Sequence, residues 1–250
     1  CNCSRKHSWV SSVLAPVGQR DRRRKLRIIP VERAEILHRV ADNIEAHIEE
    51  LSQIETIDNG SLLRSHRRGV MPRVAMNFRH FANYLLELGH PDFETRGHRN
   101  HVSWDPAGVT AIVTPWNAPL MLATWRIGPA LAAGNAVVAK PSELTPLSTL
   151  ALNDIFDDLP AGTVNLVAGA GDVGAGISAH PGIDCLAFTG SVATGRKVGI
   201  AGISRGARIN LEMGGKDPFI VCGDLDSEAV RIAARGGAWA AYLNVGQVCT

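Results

Sequence analysis

From Pro30 onward, apolar residues recur three and four positions apart, at Ile36, Leu37, Val40, Ile44, Ile48, Leu51, Ile54 and Ile57. That period predicts one long amphipathic helix ending before Asn59-Gly60, with its stripe packed on the rest of the chain. A weaker helical stretch over about 70–88 places Phe78, Phe81, Tyr84, Leu85 and Leu88 on one side and breaks at Gly89-His90-Pro91. Its aromatics read as core. From Gly108 the texture changes to short β-branched runs, at Val109 to Val113, Ala136 to Ala139, Val164 to Val167, Cys185 to Phe188, Ile209 to Leu211 and Phe219 to Cys222. Helical stretches separate them, at about 119–133, 145–157, 172–180, 191–202 and 226–241. Strands that are apolar throughout, alternating with helices, predict a parallel sheet covered on both faces. The expected fold class is α/β: a doubly wound parallel sheet preceded by N-terminal helices. In such sheets ligands bind at the carboxyl ends of the strands, so the residues following each strand are where chemistry is sought.

Charge and composition narrow the function classes. The 250 residues hold 26 basic against 24 acidic side chains, which gives no global pull toward nucleic acid or membrane. The most hydrophobic stretch, Ala118 to Val138, is interrupted by Arg126, Gly128, Pro129 and Gly134, short of the roughly 20 apolar residues of a spanning helix. Five cysteines, an odd number without a secretory signal, argue for free thiols in a reducing compartment, and a cytoplasmic location is expected. Cys1 and Cys3 with His7 nearby lack a second pair at zinc spacing, so no metal is expected. Residues 1–30 carry the basic run Arg20 to Arg27 without hydrophobic periodicity and read as a disordered tail. A transit peptide is the alternative, although Pro16 and Gly18 spoil an amphipathic helix. A nucleic-acid arm fits less well, because no aromatics interleave with positive charge downstream.

Three segments behind strands invite a cofactor reading. Gly169-Ala-Gly171-Asp-Val-Gly174 is a literal G-x-G-x-x-G, but the next strand ends in Phe188-Thr-Gly190 with no acidic residue, so the ordinary Rossmann fingerprint fails. A tight turn into a helix explains these glycines equally well. The Ala136 to Ala139 strand runs into Lys140-Pro-Ser-Glu143, where Glu143 suits ribose hydroxyls, Lys140 suits donation to them, and negative charge disfavours a 2′-phosphate. A capping turn with solvated charges is the equal alternative. Thr189-Gly190-Ser191 opens another helix, whose free N–H groups suit a pyrophosphate, while Ser191 is also an ordinary N-cap.

Taken together, Thr114-Pro-Trp-Asn117, Lys140-Pro-Ser-Glu143, Phe188-Thr-Gly-Ser191, Leu211-Glu-Met-Gly-Gly-Lys216 and Gly246-Gln-Val-Cys-Thr250 resemble, in order and spacing, the successive signatures of the aldehyde dehydrogenase superfamily. The resemblance covers residues 30–250. It implies an NAD-dependent oxidoreductase that converts an aldehyde to a carboxylic acid through a cysteine thiohemiacetal and thioester. Residue by residue, Cys249 matches the nucleophile, Asn117 the oxyanion donor and Glu212 the base for the deacylating water. Read without the family, Cys249 is an inert buried thiol and Glu212 a salt-bridge partner of Lys216. Members that pass the acyl group to coenzyme A or phosphate tend to lack the base, so Glu212 favours hydrolysis. Lys140 and Glu143 match the adenine-ribose partners, Gly190 and Ser191 the pyrophosphate approach, and Thr114 and Trp116 the cofactor cleft. Gly171 and Gly174 match the adenine-side turn, with NAD expected over NADP.

Two departures bear on the reading. Many members place a bulky aromatic after the asparagine, whereas Ala118 stands here; with Met121, Leu122 and Trp125 following, a bulky or aromatic semialdehyde is expected. Family members also continue for about as many residues again and are homo-oligomeric. The implied division is a tail over 1–30, an N-terminal helical region over 31–107, an NAD-binding α/β domain over 108–222, and the opening of a catalytic domain over 223–250. A chain of this extent is expected to turn over negligibly by itself; a non-catalytic nucleotide-binding product is the alternative.

Overall fold

The computed structural model describes residues 28–249. The basic run, Cys1, Cys3 and His7 lie outside the described residues, as does Thr250. The first helical stretch is two helices, α1 (Pro30–Ala46) and α2 (Ile48–Asn59), where the sequence period predicts one. The break is at His47, whose backbone leaves helical geometry (φ −109°, ψ 17°) and whose ring Nδ1 lies 2.7 Å from the Asn43 carbonyl oxygen. The apolar period runs across this break undisturbed. Proline at the first position of α1 suits a site whose N–H has no helical partner. Helix α1 buries Ala34, Leu37, Val40, Ala41 and Ile44; α2 buries Leu51, Ser52 and Glu55, while Ile57 faces solvent.

A helical turn at Leu63–Ser65 and a π-helical stretch at His66–Val70 lead into α3 (Met71–Glu87). Phe78 is fully buried and meets Phe156 edge-on, ring centres 6.2 Å apart. Tyr84 on the same helix is half exposed, so the core reading holds for Phe78 and fails for Tyr84. An antiparallel hairpin follows, β1 (Asp92–Thr95) with β2 (His98–His101). Its strands are polar but for the exposed Phe93 and almost wholly exposed, and their sequence carries no strand signal.

Strands β3 (Val109–Val113), β4 (Ala136–Lys140), β5 (Val164–Leu166), β6 (Cys185–Gly190) and β7 (Arg208–Met213) form a parallel sheet in the order β5-β4-β3-β6-β7. Helices α4 (Pro119–Ala132), α5 (Leu147–Ile155), α6 (Gly171–Ala179) and α7 (Val192–Ile203) connect them. Side chains alternate across the pleat into two cores. Ile112, Val137 and Ala139 join one with α1, α3, α4 and α5; Ala111, Val138, Leu186 and Phe188 join the other with Ile177 of α6 and Val198 of α7. The doubly wound architecture is as expected. The first core runs without interruption across the change of texture at 107/108, because the N-terminal helices pack directly on the sheet's helical layer.

Two strand expectations need correction. Phe219 to Cys222 forms no strand; Phe219 and Ile220 are 61% and 80% exposed and have no β partner among the described residues. Strand β7 is not apolar throughout, since Arg208, Asn210 and Glu212 are exposed at alternate positions while Ile209 and Leu211 are half-buried. Edge strands covered on one face keep the two-residue alternation that central strands lose. The last helix, α8 (Ser227–Tyr242), is N-capped by the Asp226 carboxylate at 2.8 Å from the Ala229 N–H and buries no residue.

Candidate active site

Strand order fixes where a site can form. The chain leaves β3 toward β4 and β5 on one side and returns to place β6 on the other, so the carboxyl ends of β3 and β6 diverge and open a crevice. Pro115, Trp116 and Asn117 come to it from β3, Thr189, Gly190 and Ser191 from β6, and Glu212 to Gly215 from β7. With Val248 and Cys249 closing the far side, the cavity measures about 730 Å³. A second cavity, of about 580 Å³, lies on the other side of Asn117 and Cys249. Ala118, Met121, Trp125, Trp239 and Leu243 give it an apolar wall, and Arg68 and Arg73 stand among its polar lining. Asn117, Leu122, Trp125, Val248 and Cys249 border both spaces. Cys249 is therefore exposed at a junction of two cavities.

The geometry there is built from three segments. Asn117 Nδ2 donates to the Gln247 carbonyl at 3.1 Å and lies 3.8 Å from Cys249 Sγ. Asn244 Nδ2 donates to the Asn117 carbonyl at 2.7 Å, and Gln247 Nε2 to the Asn59 carbonyl at 3.1 Å. The Cys249 carbonyl accepts the Gly215 N–H at 2.8 Å, which ties the cysteine to the segment after β7. Just before it, Asn244 and Val245 have positive φ (51° and 62°). For a β-branched residue this is a strained backbone, of the kind that persists where surrounding contacts hold it. Glu212 projects into the first cavity with its side chain 61% exposed, and its nearest cation is the Arg126 guanidinium at 4.0 Å, not Lys216. Arg126 also donates to Asn210 at 2.6 Å and to the Thr189 hydroxyl at 3.4 Å. The sequence signals Arg126 only as a charge inside an apolar helix.

Other expected residues form a group around the carboxyl end of β4, outside the lining of the two cavities. Lys140 is 3% exposed, with Nζ donating to the Pro141 carbonyl at 2.8 Å and 3.5 Å from a Glu143 carboxylate oxygen. Burial lowers the Lys140 pKa, and the Glu143 charge opposes that shift. Glu143 is half exposed. Thr114 follows β3, with its N–H on the Lys140 carbonyl at 3.2 Å and its buried hydroxyl without a hydrogen-bond partner among the described residues. The Thr145 hydroxyl donates to the Trp116 carbonyl at 3.0 Å and links this group to the crevice.

The glycines divide by cause. A Cβ on Gly171 would meet nothing within 4 Å, and one on Gly174 would make ordinary contact with the Lys140 methylenes. The glycine that the turn itself demands is Gly169, at φ 152°, where a Cβ would fall 2.4 Å from Val173. At Gly190 a Cβ would lie 2.7 Å from the Phe188 ring, so the backbone in front of α7 stays bare. Ser191 caps α7, accepting the Thr194 N–H at 3.3 Å. Its capping role is thus observed, and Gly190 and Ser191 bring the start of α7 to the border of the crevice. No cluster of three metal-ligating side chains occurs among the described residues. No helix among them is long and apolar enough to cross a membrane.

A crevice at the switch point of a parallel sheet, bordered by a thiol and an amide donor, defines the class of doubly wound α/β folds that bind a ligand beyond their strand ends. Comparison with known proteins names it: the sequence profile of the aldehyde dehydrogenase family matches residues 23–250, and the chain belongs to that family. It is 40% identical over 237 residues to phenylacetaldehyde dehydrogenase of Pseudomonas fluorescens, covering 90% of this chain and 46% of that one. It is 41% identical over 230 residues to 2-hydroxymuconic semialdehyde dehydrogenase of Pseudomonas sp. strain CF600, covering 87% and 46%. The NAD+ complex structure of aldehyde dehydrogenase from Bacillus cereus superposes with a TM-score of 0.90 at 32% identity, over 97% of this chain and 50% of that one. The chain spans about half the length of the relatives it matches.

Proposed function

We propose that the chain carries the cofactor-binding half of an enzyme that oxidises an aldehyde to a carboxylic acid with NAD, with Cys249 as nucleophile, Asn117 as oxyanion donor and Glu212 as general base. The observation that carries this reading is the position of Cys249 and Asn117 on the partition between two cavities, Sγ and Nδ2 3.8 Å apart. An aldehyde entering from the apolar cavity meets the thiolate at that partition. The carbonyl carbon bonds to sulfur, and the oxygen develops negative charge within reach of the Asn117 amide, a donor that costs no reorganisation during the reaction. NAD, when bound in the first cavity, supplies the hydride acceptor. Glu212, open to solvent on that side, then takes a proton from the water that attacks the thioester, releasing the acid and restoring the thiol.

The chain's own groups fit NAD. The bare backbone at Gly190 and the start of α7 suit a pyrophosphate, and the rigid, buried Lys140 beside Glu143 suits two ribose hydroxyls. Glu143 places negative charge where a 2′-phosphate would sit, which favours NAD over NADP. Gly171 and Gly174 border the adenine side, Thr114 and Trp116 the cleft wall. Residues 108–222 form the NAD-binding unit, 31–107 the helices packed on it, and 223–249 the opening of a catalytic domain. Ala118, Met121, Leu122 and Trp125 leave the second cavity wide and apolar, in keeping with a bulky or aromatic semialdehyde. The test is a thermal melt of the protein with NAD or NADP in excess. NAD raises the midpoint and NADP raises it less, because a ligand selective for the native state stabilises by its occupancy. No shift with either nucleotide contradicts the reading.

A further inference from the structure

Helix α2 lies beneath the turn that carries Asn117, and its last two turns send polar groups into three neighbouring segments. The Asp58 carboxylate accepts the Leu147 N–H at the start of α5 at 2.7 Å. Asn59 Nδ2 reaches the Asn117 carbonyl at 3.5 Å, and the Asn59 carbonyl accepts from Gln247. Glu55, one turn earlier, is fully buried and faces the Leu120 backbone N–H and the Ser148 hydroxyl, while also bordering the second cavity beside Asn117 and Ala118. Neither contact closes to full hydrogen-bond geometry, and Ser52, Thr56, Ser148 and Thr149 bury further unpaired hydroxyls in the same region.

Helix α4 needs such a partner. Its N-cap is Ala118, which has no side chain able to accept a bond, and its first residue is Pro119, which has no N–H. Leu120 therefore carries the first free N–H of α4, and the buried Glu55 carboxyl of α2, both oxygens unpaired, faces it short of a closed hydrogen bond. The only residue between Asn117 and the helix is Ala118. Any drift of the α4 start moves the Asn117 side chain relative to Cys249, and displacements well below 1 Å weaken a preorganised donor.

We propose that Glu55 is a positioning residue, which substitutes for the missing cap of α4 and so holds the Asn117 amide at the distance from Cys249 that an oxyanion requires. The cost of keeping this carboxyl in the interior supports a role beyond packing: burial pushes its pKa up to about 7, with the Asp58 charge adding to the rise and the Ser148 and Leu120 contacts opposing it. An apolar residue at 55 would carry no such cost.

The inference rests on the assignment of Asn117 as oxyanion donor, and two reactions of the same thiol separate the failure of one from the failure of the other. Acylation by p-nitrophenyl acetate forms the C–S bond, expels p-nitrophenolate and passes through an oxyanion. Alkylation by iodoacetamide forms a C–S bond and expels iodide without one. Both rates are followed at Cys249 in the wild type and in N117A, E55A and E55Q. N117A is expected to slow acylation about 100-fold and to leave alkylation within about twofold. Glu55→Ala is expected to slow acylation about tenfold, again with alkylation little changed, and Glu55→Gln, which keeps an acceptor for Leu120, to recover most of the loss. If N117A leaves acylation unaltered, the oxyanion assignment fails and the inference with it. If N117A slows acylation while E55A does not, Glu55 does not position the amide. If E55A depresses both reactions equally, or E55Q recovers nothing, its role is general packing and the inference is overturned.

Discussion

The two groups of candidate residues, at the carboxyl end of β4 and around Cys249, are built differently. At the β4 end, Lys140 is 3% exposed, fixed by the Pro141 carbonyl and the Glu143 carboxylate, and seated on a central strand with five buried residues in succession. In the other group, Cys249 is exposed, follows three consecutive residues with positive φ, and is held by hydrogen bonds among Asn59, Asn117, Asn244, Gly215 and Gln247. The first group is set by the sheet. The second depends on a few polar contacts between segments remote in sequence. The group at β4 is thus placed by strand geometry, whereas the contact of Asn117 with Cys249 depends on local polar scaffolding.

The sharpest way to break this comparison is at the reacting groups. Glu212→Gln is expected to preserve the burst of p-nitrophenolate that reports Cys249 acylation but to slow release of the acyl group about 10²- to 10⁴-fold, as loss of a general base requires. Intact mass measured through the time course shows whether the acyl adduct persists; prompt release with E212Q means the water is activated elsewhere. In the β4 group, Lys140→Met removes one charge-assisted donor worth about 1.5–3 kcal/mol and so weakens NAD binding roughly 10- to 100-fold, with acylation untouched. Calorimetry that finds equal NAD affinity in K140M removes Lys140 from the ribose contact.

A third effect concerns the support beneath the Asn117 turn. Glu55 has a folded pKa of about 7, above the ordinary glutamate value, so the folded state holds its proton more tightly than the unfolded chain. Its contribution to stability is fully present below the ordinary value, declines as pH rises toward 7, and then stays level. Stability of E55Q minus that of the wild type is therefore expected to rise between about pH 4.5 and 7 by on the order of 3 kcal/mol. Urea unfolding across that range checks it, and a flat difference contradicts the burial of an ionisable carboxyl. Smallest is Ala118→Phe, which narrows the second cavity and is expected to shift the preference between a small and an aromatic aldehyde by about tenfold. Equal effects on both aldehydes remove Ala118 from the control of size.

The sheet and its helices were readable from sequence because β-branched runs and helical spacing alternate so regularly after Gly108. Asn117, Glu212 and Cys249 were readable only as stations of a family pattern; residue chemistry by itself left Glu212 as a salt-bridge partner and Cys249 as an inert thiol. Other features gave no local signal. The break at His47 leaves the apolar period intact, and the β1–β2 hairpin is polar but for the exposed Phe93. Phe219 to Cys222 has strand composition, but composition cannot supply the neighbouring strand that would pair with it. Arg126 and Glu55 acquire meaning only through partners 60 or more positions away, Thr189 and Asn210 for one, Leu120 and Ser148 for the other. A period of three and four predicts that position 55 faces inward or outward, not that an acid there meets the start of another helix.

Competition labelling shows whether an aldehyde reaches Cys249 at the partition between the two cavities. Cys222 is also exposed and serves as an internal reference. Iodoacetamide labelling of both cysteines is followed by peptide mass spectrometry, with and without phenylacetaldehyde. Reversible protection of Cys249 alone is expected, because only that thiol adds to an aldehyde held at the partition, with stronger protection in the wild type than in N117A. Equal labelling of Cys249 and Cys222, unaffected by the aldehyde, would contradict it.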